Sequence, residues 1–156
     1  MIIILILLVV LVDLWTKYAM QTLTKLHNLV IIEDFFHLTY VKNTGMAWSL
    51  LSGNTKLLAI VSVVAIIIIL YIVYKYELHW FYKFAFGLIL GGAFGNLYDR
   101  VMLGYVRDFL DFYIFGYNFP VFNFADAALT VGVIILAICI LLDDRNGKKL
   151  ASRNRK

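Results

Sequence analysis

The stretch Val121-Phe122-Asn123-Phe124-Ala125-Asp126 opens a run that carries no further charge until Asp143. Such a run is long enough for lipid, since about 20 apolar residues rising about 1.5 Å each span the core of a bilayer. Asp126 sits at its mouth. An ionisable group at the edge of a membrane helix is costly to place and marks a position with a job. Eighteen residues upstream, Val106-Arg107-Asp108-Phe109 supplies a second carboxylate. Two carboxylates that meet can share a proton and activate water.

Composition agrees with a membrane setting. Of 156 residues, 63% are hydrophobic and only 15% charged, whereas soluble domains run at roughly 45–50% apolar. The single cysteine, Cys139, lies in the last apolar run and excludes an intrachain disulfide. The net charge of +4 is concentrated in residues 143–156, where six basic residues face Asp143 and Asp144; the remainder of the chain is balanced. A basic tail beside a membrane helix is a topology signal rather than a nucleic-acid surface. Met1 to Val12 lacks a basic lead and a small-x-small cleavage site, and Asp13 and Lys17 follow at once, so a retained helix is expected there.

Four segments are expected to cross the bilayer within one domain, 1–156: roughly Met1–Leu23, Leu57–Tyr74, Phe84–Leu103 and Val121–Leu142, followed by a basic tail, 143–156. An even number of spans puts both termini on one side. The tail and the loop Lys75–Lys83 nominate the cytoplasm, with eight basic residues inside against Lys25, Lys42, Lys56 and Arg107 outside. Depth follows from the helical rise. Asp13 and Lys17 on span one, and Asn96 and Arg100 on span three, stand 12 and 16 residues above the inner ends of their helices, about 18–24 Å up. Asn123 and Asp126 open span four as it descends. The polar residues of three helices are thus expected to converge near the outer interface.

The outer connections are unlike linkers. Lys25 to Lys56 contains two β-branched and aromatic runs, Leu29–Ile32 and Phe35–Val41, separated by Glu33-Asp34, which suits a small strand layer. Gly104 to Pro120 carries Tyr105, Phe109, Phe112, Tyr113, Phe115, Tyr117 and Phe119, a belt suited to the headgroup level and to a lid.

Each polar motif has a structural reading beside the chemical one. Asp126 can simply serve the dipole of its helix, and Asp99 and Asp111 are as available to it as Asp108. Asp13 and Lys17, four apart, can form a neutral ion pair that holds the bundle together. Arg100 can hold a peptide carbonyl or pair with Asp99. Asn43, in Asn43-Thr44-Gly45-Met46-Ala47-Trp48, reads first as a turn residue. His27, His37 and His79 lack metal-ligand spacing, so neither metal nor cofactor is expected. A proton relay centred on Asp13 or Asp99 and a non-catalytic scaffold are the rivals to an enzyme.

Five blocks carry a resemblance: Asp13-Leu14-Trp15-Thr16-Lys17, Asn43-Thr44-Gly45-Met46-Ala47-Trp48-Ser49, Gly95-Asn96-Leu97-Tyr98-Asp99-Arg100, Val106-Arg107-Asp108-Phe109 and Phe122-Asn123-Phe124-Ala125-Asp126. In that order they resemble the lipoprotein signal peptidases, the signal peptidase II family of bacterial inner-membrane aspartyl proteases. The resemblance implies four transmembrane helices with a small extracytoplasmic β-cradle and a short interfacial helix. It implies Asp108 and Asp126 as the catalytic pair, with Asp13, Lys17, Asn43, Gly45, Asn96, Asp99, Arg100 and Asn123 binding substrate or supporting the site. It also implies diacylglyceryl prolipoprotein substrates cleaved before the lipidated Cys, membrane lipid as a partner, inhibition by the cyclic peptide globomycin, and a monomer in the cytoplasmic membrane with its active site on the outer face.

Overall fold

A computed structural model describes residues 1–23 and 28–153, with side chains as far as 143 except that of Ser49. Expectations for Lys25, for His27 and for the basic side chains of the tail lie outside the described residues. In chain order the elements are α1 (Ile2–Leu23), β1 (Leu29–Ile32), β2 (Phe36–Asn43), a 3-10 turn (Ala47–Ser49), α2 (Thr55–Lys75), α3 (Trp80–Met102), β3 (Val106–Ile114), β4 (Tyr117–Asn118) and α4 (Phe124–Arg153).

Among the described residues, three helices are long and apolar enough to cross a membrane: α1, α2 and the Phe124–Asp143 part of α4, with mean hydropathies of 2.3, 3.1 and 2.6. Their outward faces expose Ile4, Trp15, Ile60, Ile67 and Leu141, as lipid-facing surfaces do. α3, the expected third span, is as long but less apolar. It is the central helix, packed against α1, α2 and α4, and its buried stripe contains Gly87, Gly91, Gly92, Gly95, Asn96 and Asp99. A helix surrounded by other helices has little lipid to match, so its hydropathy falls where packing and polar contacts take over.

Small residues set how closely α3 is approached. A Cβ at Gly92 would run into the carbonyl oxygen of Ala125, and one at Gly95 into the Asp13 carboxylate. Both glycines therefore let the start of α4 and the side chain of α1 close onto α3.

The strands form one antiparallel sheet in the order β1-β2-β3-β4. β2 and β3 pair Val41 with Asp108 and Asn43 with Val106, and a bulge between Leu38 and Val41 places an extra residue in β2. Phe115 and Gly116, both at positive φ, make the two-residue turn from β3 to β4, the mirror-image type that suits the twist of a hairpin. The chain then returns to β3: Phe122 accepts from the N–H groups of Phe109 and Leu110 and donates to Leu110. The residues that lead into α4 are thereby fastened beside Asp108.

Two expectations change. The Gly104–Pro120 segment, expected as an aromatic belt and lid, is a strand hairpin, and Val106 to Phe109 are buried. Its β-branched and aromatic residues pair with β2 on one side and β4 on the other. The described residues contain no short helix beyond the three-residue turn Ala47–Ser49. In addition, α4 starts at Phe124 and continues to Arg153, past the apolar end at Leu142.

The close contact at Gly92 gives a direct test. Gly92→Ala is expected to destabilise the folded protein by about 1–3 kcal/mol, because the obstacle is backbone and cannot rotate away. A lowered unfolding midpoint in detergent micelles would register it; an unchanged midpoint would mean that α3 and α4 part readily.

Candidate active site

Asp108 lies in β3 and is 1% exposed. Both its oxygens are held by amides. Asn123 Nδ2 donates to Oδ1 at 2.6 Å and Asn43 Nδ2 to Oδ2 at 2.8 Å. The same Asn43 accepts the Gly45 N–H through its own Oδ1 at 2.8 Å, a side-chain turn that fixes the amide's direction. The turn expected at Asn43 is present, and the same side chain reaches Asp108.

Asp126 occupies the third position of α4 and closes a reciprocal cap. Its N–H donates to Asn123 Oδ1 at 3.0 Å, and the Asn123 N–H donates to Asp126 Oδ2 at 3.3 Å. This is a capping box built from Asn and Asp instead of Ser and Glu. The free oxygen, Oδ1, accepts from Asn96 Nδ2 at 2.7 Å, and Asn96 Oδ1 accepts from Asn123 Nδ2 at 3.1 Å. One residue, Asn123, thus contacts both carboxylates, and α3 contributes Asn96 beneath them.

Behind these amides runs a chain of alternating charge. Lys17 Nζ lies 2.7 Å from Asp13 Oδ2 and 3.4 Å from Asp99 Oδ2, and Asp13, Lys17 and Asp99 are fully buried. Lys17 also donates to Asn96 Oδ1 at 3.0 Å. Asp99 grips Arg107 through Nη2 at 2.7 Å and Nε at 3.2 Å, and accepts its backbone N–H at 3.0 Å. Asp13 Oδ1 accepts the N–H of Ala125 at 2.9 Å. The pairing of Asp13 with Lys17 expected from their spacing is present, in a larger network than spacing suggests.

Arg100 does not pair with Asp99, which is held by Lys17 and Arg107; it donates instead to the chain's own Gly45 O at 3.4 Å. Arg107, counted from sequence as an outer-loop charge, is 7% exposed. The alternation of a strand holds the signal for it, because neighbours in β3 point to opposite faces and Asp108 facing one way sends Arg107 toward α3. By the same alternation Asp111 leaves the face of Asp108, and its Oδ2 accepts from Thr39 at 2.8 Å. His37 meets the Tyr113 ring at a tilt, with centroids 4.9 Å apart, and no cluster with metal-ligand composition occurs among the described residues.

A cavity of about 370 Å³ opens at Asp108, bounded by Val41, Asn43, Met46, Trp48 and Phe119. Trp48 spans its rim: Nε1 donates to Tyr117 OH at 2.9 Å, and the indole meets Phe119 edge-on at 6.0 Å. Burial first, and the Asp126 carboxylate second, push the Asp108 carboxyl up to about 7, against the donors Asn43 and Asn123. The arrangement offers a buried carboxyl that holds a proton near neutrality, a second carboxylate linked through one amide, and a cavity that opens onto the first.

A family model described as Signal peptidase (SPase) II matches residues 5–142. The lipoprotein signal peptidase of Staphylococcus aureus strain MRSA252 is 40% identical over 143 residues, 90% of this chain and 88% of that one; the protein of strain JH9 is 39% identical over the same shares. Two solved structures, both described as a bacterial membrane enzyme, superpose with TM-scores of 0.82 and 0.81 at 38% and 39% identity. They cover 93% and 90% of this chain, and 90% and 92% of their own.

The raised Asp108 carboxyl has a consequence for stability. Its ordinary value is 3.8 and its folded value about 7, so between those pH values the folded chain keeps a proton that the unfolded chain has released. Stability conferred at low pH is lost as pH rises through that window and stays lost above it. Asp108→Asn removes the cost. The variant is expected to raise the unfolding midpoint more at pH 8 than at pH 5; equal shifts at both would show an ordinary carboxyl.

Proposed function

Because the chain belongs to the signal peptidase II family, a family of proteases, we propose that it removes signal peptides from diacylglyceryl prolipoproteins. Cleavage falls immediately before the lipidated Cys, with Asp108 and Asp126 as the aspartyl dyad. The single observation that supports this most is Asn123, which hydrogen-bonds both carboxylates beside the cavity. In this reading the ionised member of the pair takes a proton from water as the water attacks. The neutral member donates a hydrogen bond to the scissile carbonyl, and no covalent intermediate forms. Asn96, Asn43 and Asn123 orient the carboxylates, Arg100 and Gly45 border the peptide path, and Asp13, Lys17 and Asp99 support the site from behind.

The membrane placement belongs to the same proposal. The chain is one domain with four spans, α3 being the shielded third, and both termini are in the cytoplasm. Burial of Arg107 removes a free charge from the outer side and strengthens the basic bias of the inner side. The dyad then lies at the outer interface, where a lipid-anchored substrate presents its scissile bond. Acyl chains contribute about 0.8 kcal/mol per buried CH₂, so a lipid-facing entrance can select substrate by its anchor, and a monomer suffices.

A proton relay through Asp13 or Asp99 is disfavoured by specific contacts. Each is already neutralised, the first by Lys17 and the second by Lys17 and Arg107, with no exposure to solvent.

Asp108→Asn and Asp126→Asn are each expected to lower turnover of a diacylglyceryl prolipoprotein by at least about 10³-fold in reconstituted vesicles, with both variants folded. Near-normal turnover by either would overturn the dyad. Wild-type turnover should follow a bell-shaped pH profile whose limbs belong to the pair, and globomycin should inhibit it. A single ionisation would count against a shared proton.

A further inference from the structure

The buried charges hold something more specific than neutrality. Asp13 Oδ1 accepts the N–H of Ala125, the residue before Asp126. Asp99 Oδ2 accepts the N–H of Arg107, the residue before Asp108. Each carboxylate of the dyad is thus preceded in the chain by a peptide N–H clamped by another, fully buried carboxylate. The clamps come from different helices, α1 and α3, and hold different elements, α4 and β3. One cation, Lys17 Nζ, touches both clamps, at 2.7 Å and 3.4 Å.

We infer that Lys17 is a positioning residue: it yokes the Asp13 and Asp99 clamps and thereby fixes how far apart Asp108 and Asp126 stand. The inference rests on the dyad reading above. Without the yoke each clamp still holds its own backbone, but nothing ties the start of α4 to the start of β3 on this side. On the other side Asn123 and Phe122 make the corresponding ties. Two ties on opposite sides define a separation, whereas one permits a hinge. The third Lys17 contact, to Asn96 Oδ1 at 3.0 Å, leaves the Asn96 amide free to donate to Asp126. Lys17 thereby also fixes which end of that amide faces the dyad.

The clearest variant is the pair Asp13→Asn with Lys17→Met. It removes one negative and one positive charge together, so no buried charge is stranded. Asn at 13 keeps an oxygen for the Ala125 N–H, and Asp99 keeps Arg107. Turnover of a diacylglyceryl prolipoprotein is expected to fall about 10²-fold, the scale of a misplacement near 1 Å. KM is expected to stay within about threefold, because the cavity walls at Val41, Trp48 and Phe119 are untouched. The two limbs of the pH–rate profile should draw together, since carboxylates further apart couple less. Lys17, Arg100, Asp13, Asp99 and Arg107 all bear on the pair's field, and the double exchange leaves their summed charge unchanged.

A folded double variant with wild-type kcat and limb separation would overturn the inference, whatever its unfolding midpoint. If the double variant does not fold, Asp13→Asn alone, which parts Lys17 from the α1 clamp and leaves it paired with Asp99, carries the kcat readout: the same fall is expected, and a folded variant with wild-type kcat would overturn the inference. Lys17→Arg, which keeps a cation between the clamps, is expected to recover most of kcat; a folded Arg variant as slow as the double variant would also overturn it. Asp108→Asn and Asp126→Asn run alongside. If they stay active the dyad reading has failed, and if they are inactive while the yoke variants are normal only the yoke has failed.

Discussion

Four charged side chains are sealed inside a helix bundle that presents apolar faces to lipid. Each alone would cost several kcal/mol to bury. The order Asp13, Lys17, Asp99, Arg107 alternates sign at every step, so the set is neutral and each member has an opposite charge at hydrogen-bond distance or near it. This fixes the relative positions of α1, α3 and β3, because sliding any one of them would strand a charge. The glycines of α3 follow from it: Gly95 clears the space into which the Asp13 carboxylate fits.

The start of α4 is the second place where polar groups are buried. A helix N-terminus leaves N–H groups without intrahelical partners. Here the Asp126 N–H is capped by Asn123, the Ala125 N–H by Asp13 from another helix, and the Asn123 N–H by Asp126 itself. The cost of burying a helix end is met by the residues that compose the site, so site and fold share their hydrogen bonds. Local sequence supplies two of these caps, and tertiary contact supplies the third.

Hydrophobic runs were enough to read three helices long and apolar enough to cross a membrane, and depth counting brought Asp13, Lys17, Asn96, Arg100, Asn123 and Asp126 to one level. These are properties of single helices and transfer directly from residue spacing. The pairing of Asp99 with Arg107 did not transfer, since it depends on a turn at Gly104 and on the face that each residue of β3 presents. The Gly104–Pro120 segment was legible as aromatic but not as a strand, because a ladder is decided by the partner and β2 lies over sixty residues earlier. α3 was legible as a long helix, while its lower hydropathy made sense only once the surrounding helices were in view. The choice of Asp108 over Asp99 and Asp111 came from resemblance to a family; the hydrogen bonds of Asn123 and Asn43 give it a physical counterpart.

The capping box at Asn123 and Asp126 bears on when this protein can act at all. A carboxylate that begins a helix has no fixed position until the helix exists, and α4 has no closed N-terminus until β3 and α1 have delivered Phe122 its partners and Ala125 its acceptor. A nascent or partly inserted chain therefore carries both aspartates without carrying the pair. On the dyad proposed above, hydrolytic power would be a property of the assembled fold alone, absent from the chain before α1, β3 and α4 have met.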